Sequence, residues 1–319
     1  GASLPWRVPA LARPCPGASL PWRVPALARP CPGASLPWRV PALASVIPWW
    51  HSLPPSSLRG PETAMTEAAF HSLLVYSWFG LAALVFLVLF FIVAPYGRHG
   101  RRGWGPQIPS TLGWILMEAP APLGMLALYC LASAERRASP VLLAFLALWL
   151  VHYLHRAFIF PFRIRARGKL MPLVVAGMAV VFNLGNAYLN GRWLFELGPA
   201  YPTEWLWDPR FLAGAAMFAA GFAVNQHSDW VLLHLRGPGE TGYKVPRGGL
   251  YRYVSCPNYL GEIIEWTGWA LLTWSVAGLS FAVWTAANLV PRAIAHHRWY
   301  EETFEDYPKE RRAIFPFVL

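Results

Sequence analysis

The sequence predicts an all-α, polytopic membrane protein with seven transmembrane helices enclosing a ligand cavity, and three observations lead there. Hydrophobic residues make up 55% of the 319 and charged residues only 13%, about half the charged share of an ordinary soluble chain. The charge-free runs Ala68–Gly97, Leu170–Gly191, Phe211–Ser228 and Trp266–Pro291 each approach or exceed the roughly 20 residues that cross a bilayer as a helix. The basic residues behind the net charge of +11 sit in short segments between apolar runs. Membrane orientation is encoded in that way, so no nucleic-acid partner is expected.

The first 44 residues repeat GASLPWRVPALARPCP with a period of sixteen. Proline recurs too often for a helix or central strand, and no copy offers a periodic apolar face to stack. Residues 1–64 therefore read as a disordered extension without a signal-peptide pattern, and 65–319 as the membrane domain. Helices are expected near 66–94, 110–134, 139–163, 171–191, 209–235, 257–275 and 278–302. The last two are parted at Gly278 because the combined run is too long for one span. Lys and Arg cluster at 98–102, 156–169, 236–252 and in the C-terminal tail, whereas 192–210 holds two Arg against three acids. The basic loops and the C-terminus are thus expected in the cytosol, with the first helix starting outside. A multi-pass protein of a bacterial inner membrane or the endoplasmic reticulum follows, monomeric in its bilayer. The four cysteines form no CxxC pair, so neither a disulfide framework nor a zinc site is indicated.

Polar groups at bilayer depth are costly unless paired or facing a cavity, and so mark a ligand site. Glu118, in GWILMEAPAP, is a lone carboxyl in the second run; the plain alternative is a helix-end Glu reaching water. In HYLHR, His152 and Arg156 share a face at i,i+4. The Tyr153 hydroxyl points elsewhere and needs a partner, which Glu118 could supply. Nine scattered histidines without an HxxxHH box predict no metal. NQHSD places Asn225 and Asp229 in a helix that leads to Arg236 and the loop GPGETGYKVPRGG. GPGETG matches GxGxxG by letter only, since it follows a membrane helix, contains Pro238 and opens no βαβ unit. Its glycines beside Arg236, Lys244 and Arg247 still suit a phosphate-bearing ligand. Asn258, Glu262 and Glu265 line one face of the sixth helix, and Arg292, His296 and Tyr300 one face of the seventh. Two such stripes imply an internal cavity, and a ligand with amide, ribose and phosphate groups would use them all.

These residues resemble the steroid 5α-reductase (3-oxo-5α-steroid 4-dehydrogenase) family from Tyr96 to the C-terminus. The likeness rests on PYGRH at 95–99, Glu118, VHYLHR at 151–156, NQHSD at 225–229, RGPGETGYKVPRGGLYRYVS at 236–255, NYLGEIIEWTGWAL at 258–271, RAIAHHRWY at 292–300 and FEDYPKERRAIFPF at 304–317. The resemblance implies NADPH-dependent reduction of a 3-oxo-Δ4 steroid, with Glu118 and Tyr153 on the 3-keto oxygen and Trp114 nearby. It also implies that Tyr96, Arg156, Asn225, Asp229, Arg236, Tyr243, Lys244, Asn258, Glu262, Arg292, His296 and Tyr300 surround NADPH, with Lys169 as a phosphate ligand. Three features depart from the family: Lys244 stands where the animal enzymes commonly have Arg, the 157–171 loop is longer, and the repeat has no counterpart.

Other classes fit less well. A reductase of another enone or enoyl lipid shares the chemistry and differs only in its pocket. An isoprenylcysteine-type methyltransferase is echoed by YRYVSCPNYLG at 251–261, but its cofactor has no phosphate to meet the basic glycine loop. A transporter would explain intramembrane charge, yet no inverted repeat is visible.

Overall fold

The computed structural model describes residues 65–92, 103–164, 169–237 and 239–319; the 1–44 repeat and Tyr96 lie outside them. Helix α1 (Glu67–Phe91) opens on Thr66, whose hydroxyl accepts from the Ala69 amide at 3.2 Å, satisfying one of the unpaired N–H groups of a first turn. Helices α2 (Ser110–Glu118) and α3 (Pro120–Leu131) form one body interrupted at Ala119, where Pro120 and Pro122 lack the N–H that would continue the ladder. After the short α4 (Ala134–Ala138), a second body joins α5 (Pro140–Leu154), a π-helical turn His155–Ile159 and α6 (Phe160–Arg163). Helix α7 (Leu173–Arg192) runs into another π turn, Trp193–Leu197. Helix α8 (Pro209–His234) is capped by Asp208, which accepts from the backbone and side chain of Arg210, each at 2.8 Å. Those bonds hold the Asp208 carboxyl down at about 2. Helices α9 (Pro257–Thr273) and α10 (Val276–Thr303) follow, before a C-terminal segment whose Arg312 and Ala313 carbonyls accept from the Ser255 and Cys256 amides.

Each expected helix has a counterpart, with three differences. The fourth starts at Leu173 rather than 171, because Leu170–Pro172 (β2) pairs antiparallel with Gln107–Pro109 (β1), Ile108 opposite Met171. Three residues ending in proline are too short to show alternation in a sequence. The second is split at its prolines. The break between the last two falls at Trp274, which is left-handed (φ 45°), and at Ser275, whose hydroxyl caps the Gly278 amide at 2.9 Å. Gly278 lies inside α10; a Cβ there would sit 2.7 Å from Thr273 Oγ1. It marks a close approach, not the turn.

Glu67–Phe91, Ser110–Leu131, Pro140–Arg163 and Leu173–Leu197 are long and apolar enough to cross a membrane, and the chain is an all-α integral membrane protein. Glu118, His152, Tyr153 and Arg156 lie within these four, whereas Asn225, Asp229, Asn258, Glu262, Glu265, Arg292, His296 and Tyr300 sit on α8, α9 and α10, which length and composition alone do not place among the spans.

Helices α8 and α9 run antiparallel along a glycine seam. A Cβ on Gly214 would meet Leu272 N at 2.5 Å, and one on Gly268 would meet Phe218 N at 2.5 Å. Gly221 and Gly261 face each other likewise: a Cβ on Gly261 would lie 2.6 Å from Asn225 N. Small residues at a seven-residue spacing let the backbones touch, and this close approach places Asn225 and Asp229 against the first turns of α9. Elsewhere the core is aromatic. Trp149, Trp266 and Trp269 are buried together with Phe145 and Phe218, while Trp78 of α1 lies against Phe182 and Trp284, with ring centroids 5.5 and 5.3 Å away.

Candidate active site

A cavity of about 670 Å³ opens among these helices, within the usual range of roughly 300–1,000 Å³ for small-molecule sites. Its walls are apolar, with Leu81, Leu84, Val85 and Val88 from α1 and Met178 and Phe182 from α7. Polar groups gather at Trp114, Glu118, His152, Tyr153, Arg156, Asn183, Glu262 and Arg292.

Arg156 organises that polar end. Its Nε lies 3.7 Å from Glu118 Oε1, one terminal nitrogen 3.6 Å from Asp229 Oδ2 and the other 4.0 Å from Glu262 Oε2. The three carboxylates come from α2, α8 and α9, so one guanidinium ties three helices together. Its planar face also lies 4.8 Å from the Trp114 and Phe160 rings, a cation–π placement that suits Arg better than Lys. Asn258 donates to Asp229 Oδ1 at 3.2 Å, and Asn225 donates to the Asn258 carbonyl at 3.1 Å. Arg292 donates to Asn288 Oδ1 at 3.0 Å.

Tyr153 is buried, and its hydroxyl accepts from Asn186 Nδ2 at 3.3 Å. Among the described residues Glu118 is not the partner. It turns toward the Arg156 charge, and Asn183 Nδ2 lies 3.5 Å from its other oxygen while donating to the Met117 carbonyl at 2.6 Å. His152 Nδ1 meets Glu265 Oε1 at 2.8 Å inside the aromatic core. Tyr251, in the turn before α9, donates to the Ser228 carbonyl at 3.4 Å, and burial pushes its phenol well above the usual range.

The structure therefore brings Trp114, Glu118, Tyr153, Arg156, Glu262 and Arg292 to one cavity, joined through Arg156 and α9 by Asp229, Asn258 and Asn225. The other described candidates are not among the residues that line it. Lys169 is exposed, its carbonyl accepting from Ser110 N at 3.0 Å. Arg236 donates to the Gly242 carbonyl at 3.1 Å, Lys244 pairs with Glu240 at 2.6 Å, and the Tyr243 ring meets Trp299 at 5.0 Å, all in the loop after α8 and against α10. His296 meets the Tyr259 hydroxyl at 3.2 Å, and Tyr300 stacks on Tyr307 at 5.3 Å. Sequence reasoning overlooked Asn183, Asn186 and Asn190. Their i, i+3, i+7 spacing in an otherwise apolar run was the available signal.

Residues 169–319 match the family model described as 3-oxo-5-alpha-steroid 4-dehydrogenase. The chain is 44% identical over 249 residues to 3-oxo-5-alpha-steroid 4-dehydrogenase 1 of Bos taurus, covering 77% of this chain and 96% of that one. Over 261 residues it is 43% identical to steroid 5-alpha-reductase DET2 of Gossypium hirsutum, 80% and 99% of the two chains. The Homo sapiens 3-oxo-5-alpha-steroid 4-dehydrogenase 1 is 45% identical over 224 residues, 70% of this chain and 86% of the human one.

Proposed function

The chain belongs to the 3-oxo-5-alpha-steroid 4-dehydrogenase family and is an oxidoreductase acting on CH–CH groups; from that premise we propose that it reduces the C4=C5 bond of 3-oxo-Δ4 steroids to 5α-dihydro products with NADPH. The observation that carries this reading is the cavity itself: apolar walls fit for a steroid, with Glu118 and Tyr153 at one polar end. A 3-oxo-Δ4 steroid is conjugated, so density drawn toward its C3 oxygen makes C5 electrophilic. In this reading Tyr153 donates to that oxygen, and Glu118, kept in place by Arg156 and Asn183, supports it as a second donor or acceptor. Donors fixed before the reaction, in a site largely free of water, stabilise the developing enolate more than mobile water does.

The donor set fits a nicotinamide dinucleotide. Asp229, Glu262 and the amides of Asn225 and Asn258 suit a carboxamide and ribose hydroxyls, while Arg236, Lys244 and Arg292 suit phosphates. When bound, that cofactor would supply hydride to C5, and the enolate so formed takes up a proton at C4 to give the saturated ketone. Tyr96, Lys169, Tyr243, His296 and Tyr300 are assigned to its periphery, and Trp114 to the substrate. All seven helical bodies cross the bilayer in this proposal, with residues 65–319 as a monomeric reductase unit and the C-terminus cytosolic.

The test is loss of enone absorbance when the detergent-purified protein meets NADPH and testosterone or progesterone, with chromatographic identification of the 5α-dihydro product. No NADPH-dependent consumption across several such steroids would remove the steroid reading. Turnover of an enoyl thioester or polyprenoid enone instead would assign another lipid.

A further inference from the structure

Four buried side chains form a hydrogen-bond chain that ends at the Tyr153 hydroxyl. Trp269 Nε1 donates to Asn190 Oδ1 at 2.9 Å. Asn190 Nδ2 donates to Asn186 Oδ1 at 3.0 Å and to the Asn186 carbonyl at 3.1 Å. Asn186 Nδ2 donates to the Tyr153 oxygen at 3.3 Å. Trp269 is fully buried, and Asn186, Asn190 and Tyr153 are nearly so.

The direction of this chain is fixed by chemistry. An indole N–H only donates, so Asn190 must turn its oxygen to Trp269 and its nitrogen to Asn186. Asn186 must then present its oxygen to Asn190 and its nitrogen to Tyr153. Flipping either amide would set two donors, or two acceptors, face to face out of reach of water. An amide nitrogen cannot accept, so Asn186 cannot take the Tyr153 proton. That proton is left for a group in the cavity that Tyr153 lines. Each donated bond also polarises the next, which makes the terminal O–H a stronger donor.

We propose that Asn186 is a positioning residue which, through this one-way chain anchored on Trp269, aims the Tyr153 hydroxyl proton at the carbonyl oxygen of the substrate. The inference rests on the reading above, in which Tyr153 donates to the C3 oxygen. A merely structural set of buried amides would satisfy its members just as well but would leave the donor strength of Tyr153 untouched.

The experiment compares the parent, Asn186→Leu, Tyr153→Phe and the double variant in steroid reduction at saturating NADPH. Asn186→Leu is expected to lower kcat about tenfold, the order of one hydrogen bond, with NADPH affinity unchanged. In the Tyr153→Phe background the same substitution is expected to change kcat by less than about twofold, since contacting groups are non-additive only where they act through one another. Infrared spectra of testosterone labelled with carbon-13 at C3 and bound with NADP+ give a second readout. The carbonyl stretch is expected to shift toward that of a more weakly hydrogen-bonded ketone in Asn186→Leu, and as far or further in Tyr153→Phe. Trp269→Phe, which releases the anchor, is expected to act in the same direction and serves if Asn186→Leu does not accumulate as folded protein. Equal kcat losses in both backgrounds, or an unmoved carbonyl band in Asn186→Leu, would overturn the positioning role alone. Parental kcat in Tyr153→Phe would overturn the donor assignment and this inference with it.

Discussion

Gly221→Ala adds one methyl group to the α8–α9 seam, and the geometry states what that methyl would meet. Its Cβ would lie 2.5 Å from the Gly261 carbonyl oxygen and 2.7 Å from Glu265 Cα, with the Glu265 amide nitrogen closer still. Ordinary contact begins at 3.4 Å, so the helices must part by about 1 Å to relieve the nearest of these contacts. The opposing atoms are backbone and have no rotamer to change, so the move falls on the whole seam. Overpacking of this kind costs about 1–3 kcal/mol. The same shift stretches the bond from Asn258 to Asp229, 3.2 Å in the parent, and that from Asn225 to the Asn258 carbonyl, 3.1 Å, beyond hydrogen-bonding range. Misplacement by about 1 Å can cost roughly a hundredfold in rate.

Gly177→Ala in α7 is the control, because a Cβ there meets nothing within 4 Å. It should leave stability unchanged or raise it by up to about 1 kcal/mol. The assay is the thermal aggregation midpoint in detergent beside kcat/KM for NADPH. Gly221→Ala is expected to lower the midpoint by several degrees and kcat/KM by roughly ten- to a hundredfold, and Gly177→Ala to do neither. If the two variants melt and turn over alike, the seam does not hold the polar residues of α8 and α9 in register, and the reasoning is refuted.

Tyr153→Phe should lower kcat by roughly 10²–10³-fold, the order of one oxyanion donor, while equilibrium NADPH binding stays at the parental value; full activity would mean the donor is another group. Arg156→Gln leaves Glu118, Asp229 and Glu262 without the cation they share. A loss of about 3–5 kcal/mol is expected for breaking such a buried arrangement, read as a large fall in the thermal midpoint, and a parental midpoint would refute it. Arg236→Ala and Lys244→Ala should each raise the Michaelis constant for NADPH roughly ten- to a hundredfold and hardly move that of the steroid. Because both side chains lie in the exposed loop after α8, added salt should reproduce part of the defect; a change confined to steroid binding would contradict the assignment.

Much of this architecture was legible in the residues. Long apolar runs located the helices because bilayer thickness fixes their length, and Glu118, Arg156, Asp229 and Glu262 stood out because lipid tolerates them so poorly. Two things were harder to read. Whether Tyr153 would pair with Glu118 or Asn186 depended on which helix faces α5, and helical spacing gives a face without naming its neighbour. Gly278 read as a break because glycine is helix-weakening, whereas in a packed bundle it also marks where another segment presses close. The same ambiguity hid the seam of Gly214, Gly221, Gly261 and Gly268, whose seven-residue spacing declares a shared face only once the two helices are known to meet.

The sign of the charge around Arg156 constrains how a dinucleotide would lie in the proposed reading. One guanidinium faces three carboxyls within 4.0 Å. Even with two of them protonated, the cluster has no net positive charge to offer a phosphate. An anion about 5 Å from an unpaired carboxylate meets a repulsion of about 3 kcal/mol at an effective dielectric near 20. Hydrogen-bond donors such as a carboxamide N–H or ribose hydroxyls meet acceptors there instead. The phosphates belong where cations outnumber acids, and the segment from Arg236 to Arg252 has Arg236, Lys244, Arg247 and Arg252 against Glu240. The uncharged end of the cofactor would therefore sit at the Arg156 cluster, on the same side of the cavity as Tyr153 and Glu118. Reduction at a carbon conjugated to the carbonyl that Tyr153 polarises requires that arrangement.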